Sequence, residues 1–406
     1  MSAGMSIYRD EMDVSYAVDF GRDREPTQKR SRHPEYRRKG SAPARVNGMH
    51  CRRNKRWTWG SGRGARMQNV RAFAGCLAFA LASIAANAFG VPISYNFVGN
   101  PGNTGNPASS PAGRGAVSDV FKMATTETTN AQYVAFLNSV DPNGTNPNSI
   151  YNANMGSNVN GGIVFSAGAG AGGKYSVKAG APTGAPVGTS YGSMPVNFVT
   201  WFSAARFVNW LNNGATASSS TETGAYTLSN RSSGAIVARN AGAQVFLPSA
   251  DEWYKAAFYN GSNYTTYATN SNAVPTATVS NFSLANAGNF NNATTMPVNV
   301  GSYVNSASAY SMYDMFGNVA EMTDTAGAGS NYVWVGGGYA ASAAGWNATA
   351  AQAFRLSDAA NVSNGFRVAA VPEPGTIALA GVGVAGLAGL DWMKRRKKRL
   401  AARQAA

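Results

Sequence analysis

Cysteine and histidine are nearly missing from this 406-residue chain, with two of each. Cys51, Cys76, His33 and His50 all lie upstream of residue 91. The stretch 91–371, which has the composition of a folded body, therefore offers no disulfide, no thiol nucleophile and no thiolate metal site. It equally offers no imidazole base and no His-ligated zinc or copper. Charge is scarce as well, at 13% of residues, and unevenly placed. A formal net charge of +15 would ordinarily point to nucleic acid as a partner. Yet residues 1–75 hold 17 of the 34 Lys and Arg and residues 391–406 hold 7, leaving 10 basic against 11 acidic residues in 76–390. The body is close to neutral and has no electrostatic basis for binding nucleic acid.

Long apolar runs are also few, and the two that exist stand near the ends. Met67-Gln-Asn-Val-Arg71, the apolar stretch 72–85 and Ala86-Asn-Ala88 follow the charged, apolar, small-residue order of a secretory signal. The expectation is a signal peptide over 67–90, with cleavage near Ala88. Residues 1–66 are Arg-rich, lack apolar periodicity and would bury no core. Because a signal normally begins a polypeptide, translation is expected to start at Met67, which makes this basic, disordered extension a start-site artefact. The alternative is a real basic arm that binds phosphate. Cys76 is a weak lipoprotein acceptor, since it precedes the apolar run instead of following it.

At the other end, Val371-Pro-Glu-Pro374 leads into the apolar run 376–390 and then Lys394-Arg-Arg-Lys-Lys-Arg399. An apolar segment closed by basic residues inserts with its charges on the cytoplasmic side. Fifteen apolar or small residues fall short of the ~20 that span a bilayer comfortably. A temporary stop is expected more than a durable tail anchor. This arrangement resembles the PEP-CTERM sorting signal of bacterial envelope proteins, with Pro372, Glu373 and Pro374 as the motif. The resemblance implies recognition by an exosortase, a C-terminal apolar transmembrane helix within the segment 372–399, and a protein exported to the cell envelope or beyond after transient inner-membrane anchoring.

Between these ends, Gly, Asn, Ser, Thr and Ala dominate, and aromatic residues recur singly among turn formers. Such a composition predicts many loops and short strands around a few helices. The Gly/Ala run 167–173 lacks the Lys and the flanking elements of a phosphate loop and reads as a flexible loop. Three helices are expected. The first is capped by Thr129 or Asn130 and runs to about Ser139, with Tyr133, Phe136, Leu137 and Val140 on one side. The second runs from about Thr200 to Asn212, with Trp201, Ala204, Ala205, Val208 and Leu211 as one apolar stripe and Gly214 as the stop. The third opens at Ser249-Ala-Asp-Glu252, a capping box, and carries Trp253, Ala256 and Ala257 inward.

Five motifs follow one another over about 250 residues. They are the stretch 121–138, Met194-Pro-Val-Asn197 continuing to Trp201, Leu247-Pro-Ser-Ala-Asp-Glu-Trp253, Met312-Tyr-Asp-Met-Phe-Gly-Asn-Val-Ala-Glu321 and Asn364-Gly-Phe-Arg-Val368. In this order the chain resembles the sulfatase-modifying-factor, or formylglycine-generating-enzyme, family. The resemblance implies one α+β domain over 91–371 of the C-type-lectin-related kind, with little regular secondary structure. Pro-Val-Asn recurs at 195 and 297 in unlike surroundings, so no internal repeat is read.

The strongest site signal is the pair Asp314 and Glu321, two carboxylates flanking a Gly-containing turn, the hard oxygen donors that Ca²⁺ prefers. The family resemblance implies a structural calcium ion held by the Asp314 and Glu321 side chains and the Gly317 and Val319 carbonyls. The alternative is a turn whose carboxylates accept backbone N–H bonds. Family oxidases bind Cu(I) through paired cysteines after a Gly-Gly-Ser-Trp-like motif. Here the stretch after Gly336-Gly-Gly-Tyr339 has Ala and Ser in those places, so no thiolate for copper is expected, and no His can substitute. Arg355 and Arg367 are read as either ligand-pairing groups or structural partners of Asp358 and Asp314. Tyr339, Trp346, Asn347 and Arg355 are the ligand-binding candidates, the first three expected on the rim of the family's cleft as a platform for sugar or peptide. The expected function is a non-enzymatic envelope module that binds a surface ligand such as exopolysaccharide. The alternatives are an enzyme of the family with divergent, non-copper chemistry and a structural matrix component.

Overall fold

The computed structural model describes residues 91–373. The expectations for the basic extension, the signal peptide and the C-terminal apolar helix fall outside these residues. Among the described residues no helix is long and apolar enough to cross a membrane.

The three expected helices form, and their caps explain where they start. Helix α1 (Asn130–Val140) begins at Thr129, whose hydroxyl accepts the Gln132 N–H while the Gln132 side chain accepts the Thr129 N–H. This reciprocal box satisfies two donors that a helix start leaves open. Tyr133, Phe136 and Leu137 are buried on its inner face. Helix α2 (Trp201–Asn212) is capped by Thr200 onto Ser203. Helix α3 (Ala250–Phe258) carries the Ser249/Glu252 box, with bonds of 3.1 and 2.6 Å.

Helix α2 departs from the expected single stripe, because Trp201 through Leu211 are all buried. Its polar residues tolerate this because each is paired, as burial requires. Arg206 reaches Glu222 at 2.6 and 3.1 Å and the Arg231 carbonyl at 2.9 Å. Asn209 bonds the Thr221 and Tyr226 carbonyls and accepts the Tyr226 N–H. The loop after the helix thus folds back and encloses its polar side. Tyr133, Phe136, Phe207, Trp210 and Phe366 join α1 and α2 to the C-terminal motif, with ring centroids 5.2–6.4 Å apart.

Two four-stranded sheets flank this core. The first has the order β1 (Tyr95–Val98), β2 (Phe121–Ala124), β12 (Ala369–Ala370), β5 (Val245–Phe246), all antiparallel, so the last strand of the domain lies in its interior. The second has the order β10 (Gln352–Leu356), β9 (Asn331–Val335), β8 (Ala320–Ala326), β11 (Asn364–Gly365), with β11 parallel to β8. Two-stranded pairs β3 (Ile163–Phe165) with β4 (Tyr175–Val177), and β6 (Thr276–Ala277) with β7 (Ala287–Gly288), complete the strands. Of the fifteen non-glycine residues with positive φ among the described residues, nine are Asn. The Asn-rich composition is therefore used to turn ordered loops, since Asn tolerates the left-handed region better than most residues.

Candidate functional site

A buried charge cluster ties the family motifs together. Arg367 donates from Nε and Nη2 to the two oxygens of Glu321, each at 2.5 Å, and to the Ala124 and Tyr313 carbonyls at 3.2 and 2.9 Å. Trp253 Nε1 adds a third bond to Glu321 at 2.8 Å. Both members of the pair are fully buried. Arg367 thus finds its partner in Glu321, not in Asp314 or Asp358. A guanidinium fork matches a carboxylate bidentately, and the remaining donors find carbonyls, so neither charge is stranded.

Beside this pair lie two more buried carboxyls. Asp314 Oδ2 accepts the Gly301 N–H at 2.5 Å, and Glu127 Oε1 accepts Asn318 Nδ2 at 3.0 Å. The Glu127 and Asp314 carboxyls act on each other electrostatically. Their second oxygens, Glu127 Oε2 and Asp314 Oδ1, have no other donor. Burial pushes the Asp314 carboxyl up to about 6, against the opposing Gly301 N–H and Arg367. Burial, reinforced by the Asp314 charge, raises Glu127 well above the usual carboxylate range. Three carboxyls share one guanidinium, so the arrangement is relieved when Glu127 and Asp314 hold a proton between them. Glu127 was not singled out from sequence. Its only signal is an isolated acid in the run Thr125-Thr-Glu127-Thr-Thr129 just before the α1 cap.

The loop carrying Asp314 winds tightly, with positive φ at Asp314, Gly317 and Asn318. Gly317 is required there because a Cβ would stand 2.2 Å from the Asn289 carbonyl oxygen. Gly317 N–H donates to the Gly336 carbonyl and Asn318 N–H to the Asn289 carbonyl. Both Glu321 oxygens are committed to Arg367 and Trp253, and a dication there would sit against a guanidinium. Among the described residues no three His, Cys, Asp or Glu side chains are grouped so as to hold a metal ion.

The expected rim residues divide. Trp346 packs on Trp334 of β9 with centroids 4.5 Å apart and the rings tilted by 44°, and the Arg355 guanidinium of β10 lies 4.3 Å over the same Trp334 ring. Arg355 Nη1 and Trp334 Nε1 have no hydrogen-bond partner, and burial lowers the Arg355 guanidinium from its usual range. Tyr339 does not join them. It is buried, with its hydroxyl 3.5 Å from Asn160 Nδ2. Asn347 caps its own turn through Ala344 and Thr349. Of the expected candidates the structure thus brings Trp346 and Arg355 together, on Trp334. Trp334 escaped the sequence reading because, one position from buried Val333 and Val335, it looks like ordinary strand residue.

The sorting motif leaves the domain without an interval. Val371 N–H donates to the Gln244 carbonyl at 2.9 Å, Pro372 is buried, and Glu373 pairs with Lys122 at 2.6 Å. Pro374 lies outside the described residues. A cleft of about 580 Å³ runs alongside, lined by Asp119, Phe121, Arg239, Phe246, Val371 and Pro372 among others.

Residues 96–371 match the sulfatase-modifying factor enzyme 1-like domain, and residues 370–396 match the PEP-CTERM protein-sorting motif. No curated protein sequence matches the chain. Similar solved structures include Treponema denticola variable protein 1, at 19% identity, covering 70% of this chain and 96% of that one, with a TM-score of 0.45. CarF is similar at 19% identity over 70% and 99% of the two chains, with a TM-score of 0.41. PvdO from Pseudomonas aeruginosa is similar at 13% identity over 69% and 92%, with a TM-score of 0.33. The PEP-CTERM motif is read by exosortase sorting machinery and marks the protein for export and sorting to the cell envelope. The chain belongs to the family of sulfatase-modifying factor enzyme 1-like domains and carries a PEP-CTERM sorting motif behind that domain.

Proposed function

We propose that this protein is a non-enzymatic envelope module that binds a surface ligand, an acidic polysaccharide, through Trp334, Trp346 and Arg355. The observation that carries this reading is the half-buried cluster in which the Trp334 and Trp346 ring centroids stand 4.5 Å apart and the Arg355 guanidinium lies 4.3 Å over Trp334. Aromatic faces take the apolar faces of sugar rings, and a guanidinium takes a carboxylate bidentately. The chemistry available elsewhere supports binding over catalysis. The body has no Cys or His, and its carboxyl pair with raised proton affinity, Glu127 and Asp314, is buried beneath the motifs. Copper oxidase chemistry has no thiolate or imidazole ligand here. Calcium binding at Asp314, Gly317, Val319 and Glu321 would require Arg367 to release Glu321, so the reading adopted is a loop held by the ion pair.

Glycan-array binding of the exported protein, run beside oxygen consumption with a Cys-containing peptide, separates this function from oxidase activity. The account expects glycan signal and no oxygen uptake. Copper-dependent thiol turnover would replace it with the enzymatic reading.

A further inference from the structure

The family domain ends at residue 371 and the sorting motif begins at residue 370, so the two overlap. The motif is accordingly built onto the fold. Strand β12 sits between β2 and β5, where Ala370 faces Lys122 on one side and Val245 on the other. Val371 extends the pairing with β5 by one bond to Gln244. Pro372 is then buried against the domain. Lys122, directly opposite Ala370, reaches three residues further to Glu373 and packs its ammonium 5.6 Å from the Tyr95 ring centroid. Between Ala370 and Pro374 the chain spans at most about 13 Å when fully extended. A processing enzyme must therefore meet Pro372 and Glu373 at the surface of the folded domain, with no linker to draw them away.

We propose that the folded domain restrains its own sorting motif, with Lys122 as the latch on Glu373, so that capture by the sorting enzyme requires residues 371–373 to peel from the end of the sheet. This inference rests on the sorting motif and stands apart from the ligand-binding reading. The latch is weak by nature. Lys122 and Glu373 side chains are 16% and 56% exposed, a setting in which an ion pair holds a segment only modestly. Local opening of this kind precedes cleavage of segments that are ordered in the native state.

The test is pulse-chase processing of the full chain in exosortase-bearing cells, read by intact mass. Lys122→Met keeps the stem that packs on Tyr95 and removes the charge. It should be processed roughly two- to fivefold faster, while Lys122→Arg keeps the parent rate. Processing of Lys122→Met at the parent rate or slower would overturn the proposal. A second measurement does not depend on the variant folding. In the unprocessed parent, the Val371 amide should exchange hydrogen as slowly as Ala369 and Ala370. Exchange at the rate of an unfolded chain would equally overturn it.

Discussion

Arg367 and Glu321, 46 positions apart, meet in a fully buried fork of two 2.5 Å bonds that joins the C-terminal motif to strand β8. Removing one partner strands the other charge without water, which typically costs about 3–5 kcal/mol. Arg367→Met should lower unfolding free energy by that order in urea titration. Arg367→Met with Glu321→Met should cost less than Arg367→Met alone, since no charge is left unpaired. A double variant as costly as both single losses together would show that the pair is not the coupling element.

The Glu127–Asp314 pair makes a pH prediction. Both carboxyls hold protons more tightly folded than unfolded, Asp314 titrating at about 6. Their contribution is fully present below the unfolded value near 4 and is lost as pH rises through the folded value. Tm should therefore fall by roughly 5 °C between pH 5 and pH 7.5. Asp314→Asn should flatten that slope. A Tm that rises over this window in the parent would contradict the shared-proton reading.

Calcium is tested by the same melt. If the 314–321 loop is held by Arg367, then 5 mM EDTA or 5 mM Ca²⁺, both about the concentrations such assays use, should leave Tm within about 1 °C. A ligand at 100 times its Kd would add ~2.7 kcal/mol and move Tm by several degrees. Such a shift on adding Ca²⁺ would restore Asp314, Gly317, Val319 and Glu321 as ligands.

Gly317→Ala should be among the more damaging single-methyl additions in the domain. Its φ of +90° and the Asn289 carbonyl at 2.2 Å from a Cβ leave no position for the side chain without moving the loop. A loss of about 1–3 kcal/mol is expected, with Gly301→Ala, whose Cβ has a neighbour only at 3.4 Å, losing less. Equal losses would place the strain in backbone angle alone.

What the sequence made legible were features set within a few residues. The Ser249/Glu252 box and the Thr129 cap are i to i+3 relationships and formed as read. Contacts across long separations were not legible. The enclosure of α2 depends on the loop past Gly214 folding back onto Arg206 and Asn209. The burial of Tyr339 depends on Asn160, 179 positions away. Arg367 could be recognised as a structural ion-pair member from its motif, yet the partners expected for it, Asp314 and Asp358, were not the one it takes. Only the pairing of β11 with β8 and of β12 with β2 selects Glu321. The copper argument needed no fold at all, because it rests on which residue types the body contains.

The most direct test of the binding account is calorimetric titration of the exported protein with acidic exopolysaccharide from its own envelope, in parallel with Trp346→Ala and Arg355→Gln. The account predicts saturable binding by the parent, weakened about tenfold or more by either substitution, as loss of one aromatic or guanidinium contact worth ~1.4 kcal/mol requires. Binding unchanged in both variants, or no binding by the parent, would contradict it.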